Sequence, residues 1–268
     1  ARLSSPHEAT QAAFAQAGAI SPLVELLDGK QGAEAQEEAA GAILALADHE
    51  GNRLAITESG GIGFLVMLLG CDNPRAREHA EGALVCLSME NANRVLIIKK
   101  LVDMLQDSGA AAQEQAAAAL ANLARESEDN RKSIVDANGI VPLLEVLEST
   151  SAKAKENAVG AIKELCRNSK NNQSLIAKAG GIPKLVGVMI GFSGNTLKEQ
   201  ALIHLCTLAA SAIKEMSKGN RKNQDAIAEA GAIAPLVAML GALSPQMQAN
   251  AAGALANLAN NHMDNQSS

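Results

Sequence analysis

The chain repeats itself with a period close to 40 residues, and this repetition constrains the fold more than any other feature. A pair of adjacent aliphatic residues recurs six times, at Leu23-Val24, Leu65-Val66, Leu101-Val102, Leu143-Leu144, Leu185-Val186 and Leu236-Val237. The spacings between successive pairs are 42, 36, 42, 42 and 51 residues. A period of this length is typical of stacked supersecondary units, in which each unit covers the apolar face of its neighbour.

Each repeat contains three helical patterns. The first runs from Asn to Gly, as in Asn52 to Gly60 and Asn223 to Gly231. It predicts a short helix that is capped by the Asn and ended by a Gly with a left-handed backbone. In the fourth repeat Asn138 occupies the Gly position. The second is short and nearly all apolar, and often opens with Pro, which suits a first helical turn. The third is the longest, with apolar residues at helical spacing. We assign its core to Ala39/Ala42/Ile43/Leu46, Ala80/Ala83/Leu84/Leu87, Ala116/Ala119/Leu120/Leu123, Ala158/Ala161/Ile162/Leu165, Ala201/His204/Leu205/Leu208 and Ala251/Ala254/Leu255/Leu258.

Composition limits the partners that such a chain can bind. Aromatic residues make up 1% of the chain, so Ala and aliphatic residues fill the core, as in thin layers of closely packed helices. The net charge of −6 argues against nucleic acid, which requires clustered cations. The charge is uneven, at −9 over residues 1–128 and +3 over residues 129–268. The first half therefore favours basic partners, and the second tolerates acidic ones.

Two segments closely resemble the armadillo-repeat family, namely Gly-Ala-Ile-Ala-Pro-Leu-Val-Ala-Met-Leu at 231–240 and Ala-Ala-Gly-Ala-Leu-Ala-Asn-Leu-Ala at 251–259. Weaker copies cover residues 7–260. The resemblance implies an all-α, right-handed superhelical solenoid of about six three-helix repeats. We expect a single array over residues 1–268, with repeats at approximately 7–49, 50–90, 91–127, 128–168, 169–218 and 219–262. It also implies a non-enzymatic protein scaffold, whose third helices line a concave groove for an extended peptide.

Family members that bind nuclear-localisation signals carry Trp on each third helix and Asn four residues later. Here the Asn position reads Ala45, Cys86, Asn122, Glu164, Thr207 and Asn257, and the Trp position reads Gly41, Gly82, Ala118, Gly160, Ile203 and Gly253. A nuclear-import adaptor is therefore disfavoured, and the pattern is more similar to catenin-type, vacuolar-scaffold-type and plant arrays. Asn122 and Asn257 are the best candidates for hydrogen bonds to a peptide backbone, because an amide both donates and accepts.

Two further columns lie one turn earlier on the third helices. The first is acidic and contains Glu37, Glu78, Glu114, Glu156 and Glu199. These carboxylates either stabilise the helix dipole or attract a basic ligand. The adjacent column is polar and contains Glu38, His79, Gln115, Asn157, Gln200 and Asn250. We expect the small residues to form the floor of a channel between these columns. The columns then predict that an extended, partly basic peptide binds along residues 78–257 and that salt weakens this binding.

Two repeats depart from the regular length. In the third repeat the Asn of the first helix, Asn93, precedes the Leu of the aliphatic pair, Leu101, by eight residues, whereas this distance is thirteen in four other repeats. We therefore expect its first helix to merge into or collapse against its second, and the superhelical pitch to break near residues 91–101. In the fifth repeat we assign about eight extra residues to 209–222, with the third helix extended to Gly219. A basic rim in that segment is either a solvated loop or a docking site, and consists of Lys214, Lys218, Arg221 and Lys222.

No motif indicates catalysis, a metal site or a cofactor. The sequence lacks a phosphate-binding loop and an HExxH zinc motif, and its four cysteines form no CxxC pair. We expect His204, two residues from Cys206, to be a partly buried packing residue rather than a base. Thiols without a disulfide pattern favour the cytoplasm or the nucleus, and no apolar run approaches the roughly 20 residues of a membrane span. An accessory docking module, beside a catalytic domain elsewhere in a longer protein, is the alternative to a scaffold.

We also expect the array to be truncated at both ends. Terminal repeats of solenoids carry polar outer faces, whereas Leu255 and Leu258 belong to a pattern typical of an internal repeat. The exposed end should therefore associate with another copy. Sedimentation velocity at rising protein concentration should show species larger than the monomer, and a strictly monomeric protein at high concentration would contradict this expectation.

Overall fold

The computed structural model describes residues 13, 14, 16–107, 109–190 and 200–260. Over these residues the regular structure is helical throughout and no strand occurs, which confirms the predicted all-α class. The sixteen α-helices of the described residues are α1 Ile20–Leu26, α2 Ala33–Ala47, α3 Glu50–Glu58, α4 Gly61–Leu68, α5 Pro74–Leu87, α6 Asn91–Asp107, α7 Ala110–Glu126, α8 Glu128–Asp136, α9 Ile140–Glu145, α10 Ala152–Cys166, α11 Lys170–Lys178, α12 Gly181–Ile190, α13 Gln200–Ser217, α14 Arg221–Glu229, α15 Ile233–Leu240 and α16 Pro245–Ala259. A short 3-10 helix, Val146–Glu148, continues α9.

The helices form two compact units, and the boundary between them falls inside α7, after Ala116. In the first unit the third helices α2 and α5 pack against each other. In the second unit the third helices α10, α13 and α16 pack side by side in that order. Small residues at these contacts allow the close approach that the sequence predicts. A single array over residues 1–268 stays a prediction.

The first and second helices of the third repeat are merged, as the sequence predicts. α6 is one continuous helix of 17 residues. In the second, fourth and sixth repeats the residue between these helices has a left-handed backbone, with φ of 78° at Gly60, 60° at Asn138 and 79° at Gly231. The segment from Asn91 to Asp107 contains no Gly, and the helix therefore continues.

The Asn that opens each first helix is buried and is not the helix cap, so the predicted capping role of Asn52 and Asn223 was wrong. His49 and Asn220 occupy the N-cap positions instead. The Nδ2 atoms of Asn52, Asn130, Asn172 and Asn223 donate to the carbonyls of Leu46, Leu123, Leu165 and Met216, at 3.1, 2.8, 2.9 and 3.0 Å. These carbonyls end the preceding third helix, where no intrahelical donor remains, and the amide supplies the missing bond.

The residue after each of these Asn side chains reaches the next carbonyl. Arg53, Arg131, Gln173 and Gln224 donate to the carbonyls of Ala47, Ala124, Cys166 and Ser217. We call each adjacent pair, Asn52-Arg53, Asn130-Arg131, Asn172-Gln173 and Asn223-Gln224, the helix-end clamp. Each clamp fixes the end of a third helix against the start of the next first helix.

The helix-end clamp also fixes the register of α13, and it shows that the predicted core of this helix was wrong at His204 and Leu208, whereas Leu205 is buried as predicted. In the third, fourth and fifth repeats the clamp Asn follows its carbonyl partner by 7 residues, so Met216 occupies the position of Leu165. The core of α13 is therefore Ala209, Ala212, Ile213 and Met216, all 0% exposed. His204, predicted to be partly buried, is exposed, and Leu208 is half-buried.

The extra residues of the fifth repeat lie before α13 rather than within 209–222. The distance from the aliphatic pair of the second helix to the last core residue of the third helix is 22 positions in the fourth repeat, from Leu143 to Leu165. In the fifth repeat it is 31 positions, from Leu185 to Met216. The insertion therefore falls in or next to the connection 191–199, which lies outside the described residues. The prediction that the third helix continues through 209–216 and ends at Gly219 is confirmed, because α13 runs to Ser217 and Gly219 follows with φ of 61°, but this end is in register with the end of α10 rather than extended beyond it.

The helix-end clamp should contribute measurably to stability. Replacing Asn172 by Ala leaves the buried carbonyl of Leu165 without its 2.9 Å partner, and should lower the free energy of unfolding by about 1–3 kcal/mol. The matched control is Asn171→Ala, one residue earlier on α11 and exposed, which should change it by less than about 0.5 kcal/mol. Urea unfolding followed by circular dichroism measures both values, and equal losses would contradict the clamp.

Candidate functional site

The outer column of the third helices is the set of residues one position before the last core residue. With the register of α13 corrected, it consists of Ala45, Cys86, Asn122, Glu164, Glu215 and Asn257. Glu215 therefore replaces Thr207. In the second unit the outer column places two carboxylates between two amides.

The two amides differ in how far they are used within the protein. Asn122 is exposed, and its Oδ1 accepts a 3.4 Å hydrogen bond from Arg125 Nη1. Asn257 is half-buried, and its Nδ2 donates to Lys214 O at 2.9 Å and to Ser217 Oγ at 3.2 Å. Asn122 is thus more accessible to a partner, whereas Asn257 also links α16 to α13.

The two carboxylates also differ. Glu164 is buried, and its oxygens lie 3.2 Å from Lys163 Nζ and 3.3 Å from Arg167 Nη1, so its charge is compensated internally. Glu215 is half-buried and has no ion pair among the described residues. The Oε2 atoms of both residues are buried without a hydrogen-bond partner in the described part of the chain, so the difference between them is the uncompensated charge and greater exposure of Glu215.

The predicted acidic column is largely engaged within the protein. Glu37 accepts a 2.8 Å hydrogen bond from Asn73 and lies 3.5 Å from Arg75, and these contacts, the bond from Asn73 first, hold the pKa of Glu37 below its usual value. Glu156 is buried, 3.2 Å from Lys153 Nζ. Glu78 is exposed and Glu114 half-buried, whereas Glu199 lies outside the described residues. Among the four of these residues that the structure describes, Glu78 is the exposed one.

The corrected register places Thr207 of α13 in the acidic column. Thr207 is buried, and its Oγ1 donates to Ile203 O at 2.6 Å. Its carbonyl accepts from the buried Asn250, 3.2 Å away, and Asn250 Oδ1 accepts from Gln246. Thr207 and Asn250 therefore hold α13 and α16 together rather than face a partner.

The remaining residues of the adjacent polar column are only partly accessible. Gln115 and Asn157 are half-buried. Leu208 takes this position in α13, where Gln200 was expected. Gln200 begins α13, and its side chain lies outside the described residues. A continuous polar line along the third helices is therefore interrupted at α13.

The glycines of the third helices do not form an open channel floor, and that expectation was wrong at three positions. A Cβ placed on Gly41 would lie 3.1 Å from the His79 ring. A Cβ on Gly82 would lie 3.0 Å from the Leu44 side chain, and a Cβ on Gly253 would lie 2.6 Å from the Lys214 side chain. The neighbouring third helix thus fills the space above each glycine. At Gly160 the nearest atom is 3.9 Å away, and this position alone of the four leaves room.

Sequence reasoning missed a column that caps the second helices. Nine positions before the outer column, the side chains of Gln36, Arg77, Gln113, Cys206 and Gln248 donate to the carbonyls of Leu27, Cys71, Leu105, Val188 and Leu240. The recurrence of Gln in three repeats was the available signal. Because Cys206 takes the same place, the column supports the register of α13.

The predicted basic rim belongs to helix ends and a short turn, not to a long loop. Lys218, Arg221 and Lys222 are exposed around the three-residue turn 218–220. Lys214 is half-buried, with its side chain against Gly253. The solvated-loop interpretation of this segment was therefore wrong.

Two properties of the described residues bear on function. None of the helices is long and apolar enough to cross a membrane. Within the same ranges, His, Cys, Asp and Glu side chains nowhere form a group of three that could hold a metal ion.

Comparison with known proteins identifies the family. The model of the armadillo/beta-catenin-like repeat matches residues 127–167 and 220–260. A designed armadillo repeat protein has a TM-score of 0.65 at 22% identity, over 89% of this chain and 99% of that one. An engineered protein has a TM-score of 0.66 at 27% identity, over 89% and 96% of the two chains. The chain therefore contains armadillo repeats at 127–167 and 220–260 and has the fold of armadillo-repeat solenoids.

Two further similarities bear on partners. A designed armadillo repeat protein solved in complex with the peptide (KR)4 has a TM-score of 0.65 at 21% identity, over 89% of this chain and 99% of that one. U-box domain-containing protein 12 of Oryza sativa subsp. japonica is 42% identical over 77 residues, which is 28% of this chain and 12% of that protein. The matched segment thus spans about an eighth of this relative's length.

The four cysteines should differ in reactivity. Burial raises the pKa of Cys206 to about 11, and burial together with the charge of Glu215 raises that of Cys166. The thiolate is the reactive form, so both should resist maleimide at pH 8 in the folded protein, while the half-buried Cys71 reacts first. Labelling followed by peptide mass spectrometry, with urea-unfolded protein as the control, tests this order. Labelling of Cys206 as fast as Cys71 would contradict it.

Proposed function

We propose that this chain is a non-catalytic protein scaffold, and that the third helices of its second unit hold an extended, partly basic peptide of a partner. Armadillo solenoids are generally non-catalytic scaffolds, and a designed relative of the same fold was solved with the peptide (KR)4. The site is the outer column from Asn122 to Asn257, on the face that is concave in this family. The proposed compartment is the cytoplasm or the nucleus.

The observation that carries the proposal is the carboxylate of Glu215. Its buried Oε2 has no hydrogen-bond partner in the described residues, although the side chain itself is half-exposed. Among the described residues Glu215 also has no ion pair, so a Lys or Arg of a peptide at the exposed part of this carboxylate would supply the opposite charge, and charge-assisted bonds are stronger than neutral ones. Glu164 cannot act in the same way, because Lys163 and Arg167 already compensate it.

The amides on either side suit the backbone of the same peptide. Packed helices lie about 8–10 Å apart, and an extended chain advances about 3.3 Å per residue. One repeat therefore corresponds to about three peptide residues, so a basic residue at Glu215 places the backbone about three residues away near Asn257. Gly160 adds space between the two ends of this path, because no neighbouring side chain covers it closely.

A second function is favoured by the match to U-box domain-containing protein 12, which extends over only 12% of that protein. The chain would then act as an accessory docking module of a larger protein with another domain elsewhere. Both functions use the same peptide-binding surface. As a scaffold the chain would hold the partner itself, whereas as a docking module it would bring the partner to another domain of the larger protein.

Substitutions in the outer column should weaken peptide binding. With a fluorescein-labelled (KR)4 peptide as the probe, Glu215→Gln should reduce affinity about tenfold in fluorescence anisotropy, because it removes the charge that pairs with a basic side chain. Asn122→Ala should reduce it about threefold through loss of a backbone hydrogen bond. Binding should also weaken as NaCl rises.

The matched control is Glu145→Gln, which makes the same charge change on an exposed residue of the second helix α9. Circular dichroism should confirm that each variant is folded. Equal losses from Glu215→Gln and Glu145→Gln would show that binding depends on net charge alone and would exclude the proposed site. An unmodified protein that does not bind the peptide would also exclude it.

A further inference from the structure

Two neighbouring turns of the second unit place four exposed cations along one edge. The turn 167–169 joins α10 to α11, and the turn 218–220 joins α13 to α14. Asn220 Nδ2 donates to Gln173 Oε1 at 3.3 Å and to Ser174 Oγ at 3.4 Å, so the turn 218–220 contacts α11 close to where the turn 167–169 leads into it. We call the four cations beside them the basic edge, which consists of Lys170, Lys218, Arg221 and Lys222.

The basic edge has little compensating charge of its own. Neither segment, 167–172 or 218–224, contains an Asp or Glu. The nearby Arg167 is already engaged, since Nη1 lies 3.3 Å from Glu164 and Nη2 donates to Arg125 O. The next carboxylate along α14 is Asp225, which lies one turn beyond Arg221 and Lys222 and offsets part of their charge. The edge therefore carries a local positive charge on a chain whose net charge is −6.

Three of these four cations lie where the helices themselves disfavour them, whereas Lys218 follows the C-terminus of α13. The N-terminus of a helix carries partial positive charge, so acidic residues are favoured in the first turn. α3 and α8 follow this rule with Glu50, Glu128 and Asp129. α11 and α14 have no acidic residue in the first turn, and Lys170, Arg221 and Lys222 occupy it instead. Local helix stability does not explain this arrangement, whereas an anionic ligand would benefit from both the cations and the two helix ends.

We propose that the basic edge binds an acidic protein segment, one that carries Asp or Glu at about every third position. The two turns belong to successive repeats, about 8–10 Å apart, which an extended peptide crosses in about three residues. Carboxylates with that spacing reach Lys170 in one turn and Lys218 or Arg221 in the next. A short segment touches only this edge, whereas a long polyanion or an anionic membrane would also meet the acidic side chains elsewhere on the chain.

This edge adjoins the outer column, because Lys218 follows Glu215 by three residues, but it consists of other residues and the proposal does not rest on peptide binding at the outer column. The test uses a fluorescein-labelled twelve-residue peptide with Glu at every third position and Ser or Gly between. The same peptide with Gln in place of Glu is its neutral counterpart. Anisotropy should show salt-sensitive binding of the Glu peptide and none of the Gln peptide. The double variant Lys218→Gln with Arg221→Gln should weaken binding about fivefold.

The matched control is Lys132→Gln with Lys178→Gln, which removes the same charge from exposed residues outside the edge and should leave affinity unchanged. Equal weakening by both double variants, or no binding of the Glu peptide by the unmodified protein, would overturn the proposal. It would also be overturned if vesicles with phosphatidylserine or a single-stranded DNA oligonucleotide bound to the same residues more tightly than the peptide. Glu215→Gln should not weaken the Glu peptide, which separates this result from that of the outer column.

Discussion

The end of each third helix is buried, and its last carbonyls need donors that the helix cannot supply. The helix-end clamp meets this requirement with two adjacent side chains of the next first helix, such as Asn172 and Gln173. Because the donors come from the following element, the third helix is completed only when the next first helix docks. At the four joints where it occurs, the clamp thus couples successive repeats through polar bonds as well as apolar contacts.

The sequence predicts the repeat, the three helices and the merged helix α6, because these depend on local chemistry. Gly60, Gly231 and Asn138 end helices through their tolerance of positive φ, and the absence of such a residue lets α6 continue. The register of α13 was not predictable in the same way. Ala201, Leu205 and Leu208 have the same helical spacing as Ala209, Ile213 and Met216, so apolar pattern alone cannot choose between them. The bond from Asn223 to Met216 decides the register.

The candidate site was predicted less completely than the fold, because exposure depends on the neighbouring repeat. Asn122 and Asn257 are where the pattern places them, but Glu164 is compensated and Thr207 is buried. The glycines look like open space in the sequence, yet His79, Leu44 and Lys214 fill most of it. A single repeat cannot show these contacts, since each arises from side chains about 40 residues apart in the sequence.

The two joints of a repeat tolerate change in chain length differently. The joint from third to first helix varies by one residue: clamp Asn and carbonyl are 6 residues apart in the first repeat and 7 in the third, fourth and fifth. The joint from second to third helix differs by nine residues between the fourth and fifth repeats, while the core of α13 keeps its place. Length can therefore be added at the second joint without disturbing the packing of the repeats. Loop grafting and domain insertion belong at that connection, because the joint from third to first helix varies by one residue only among the observed clamps.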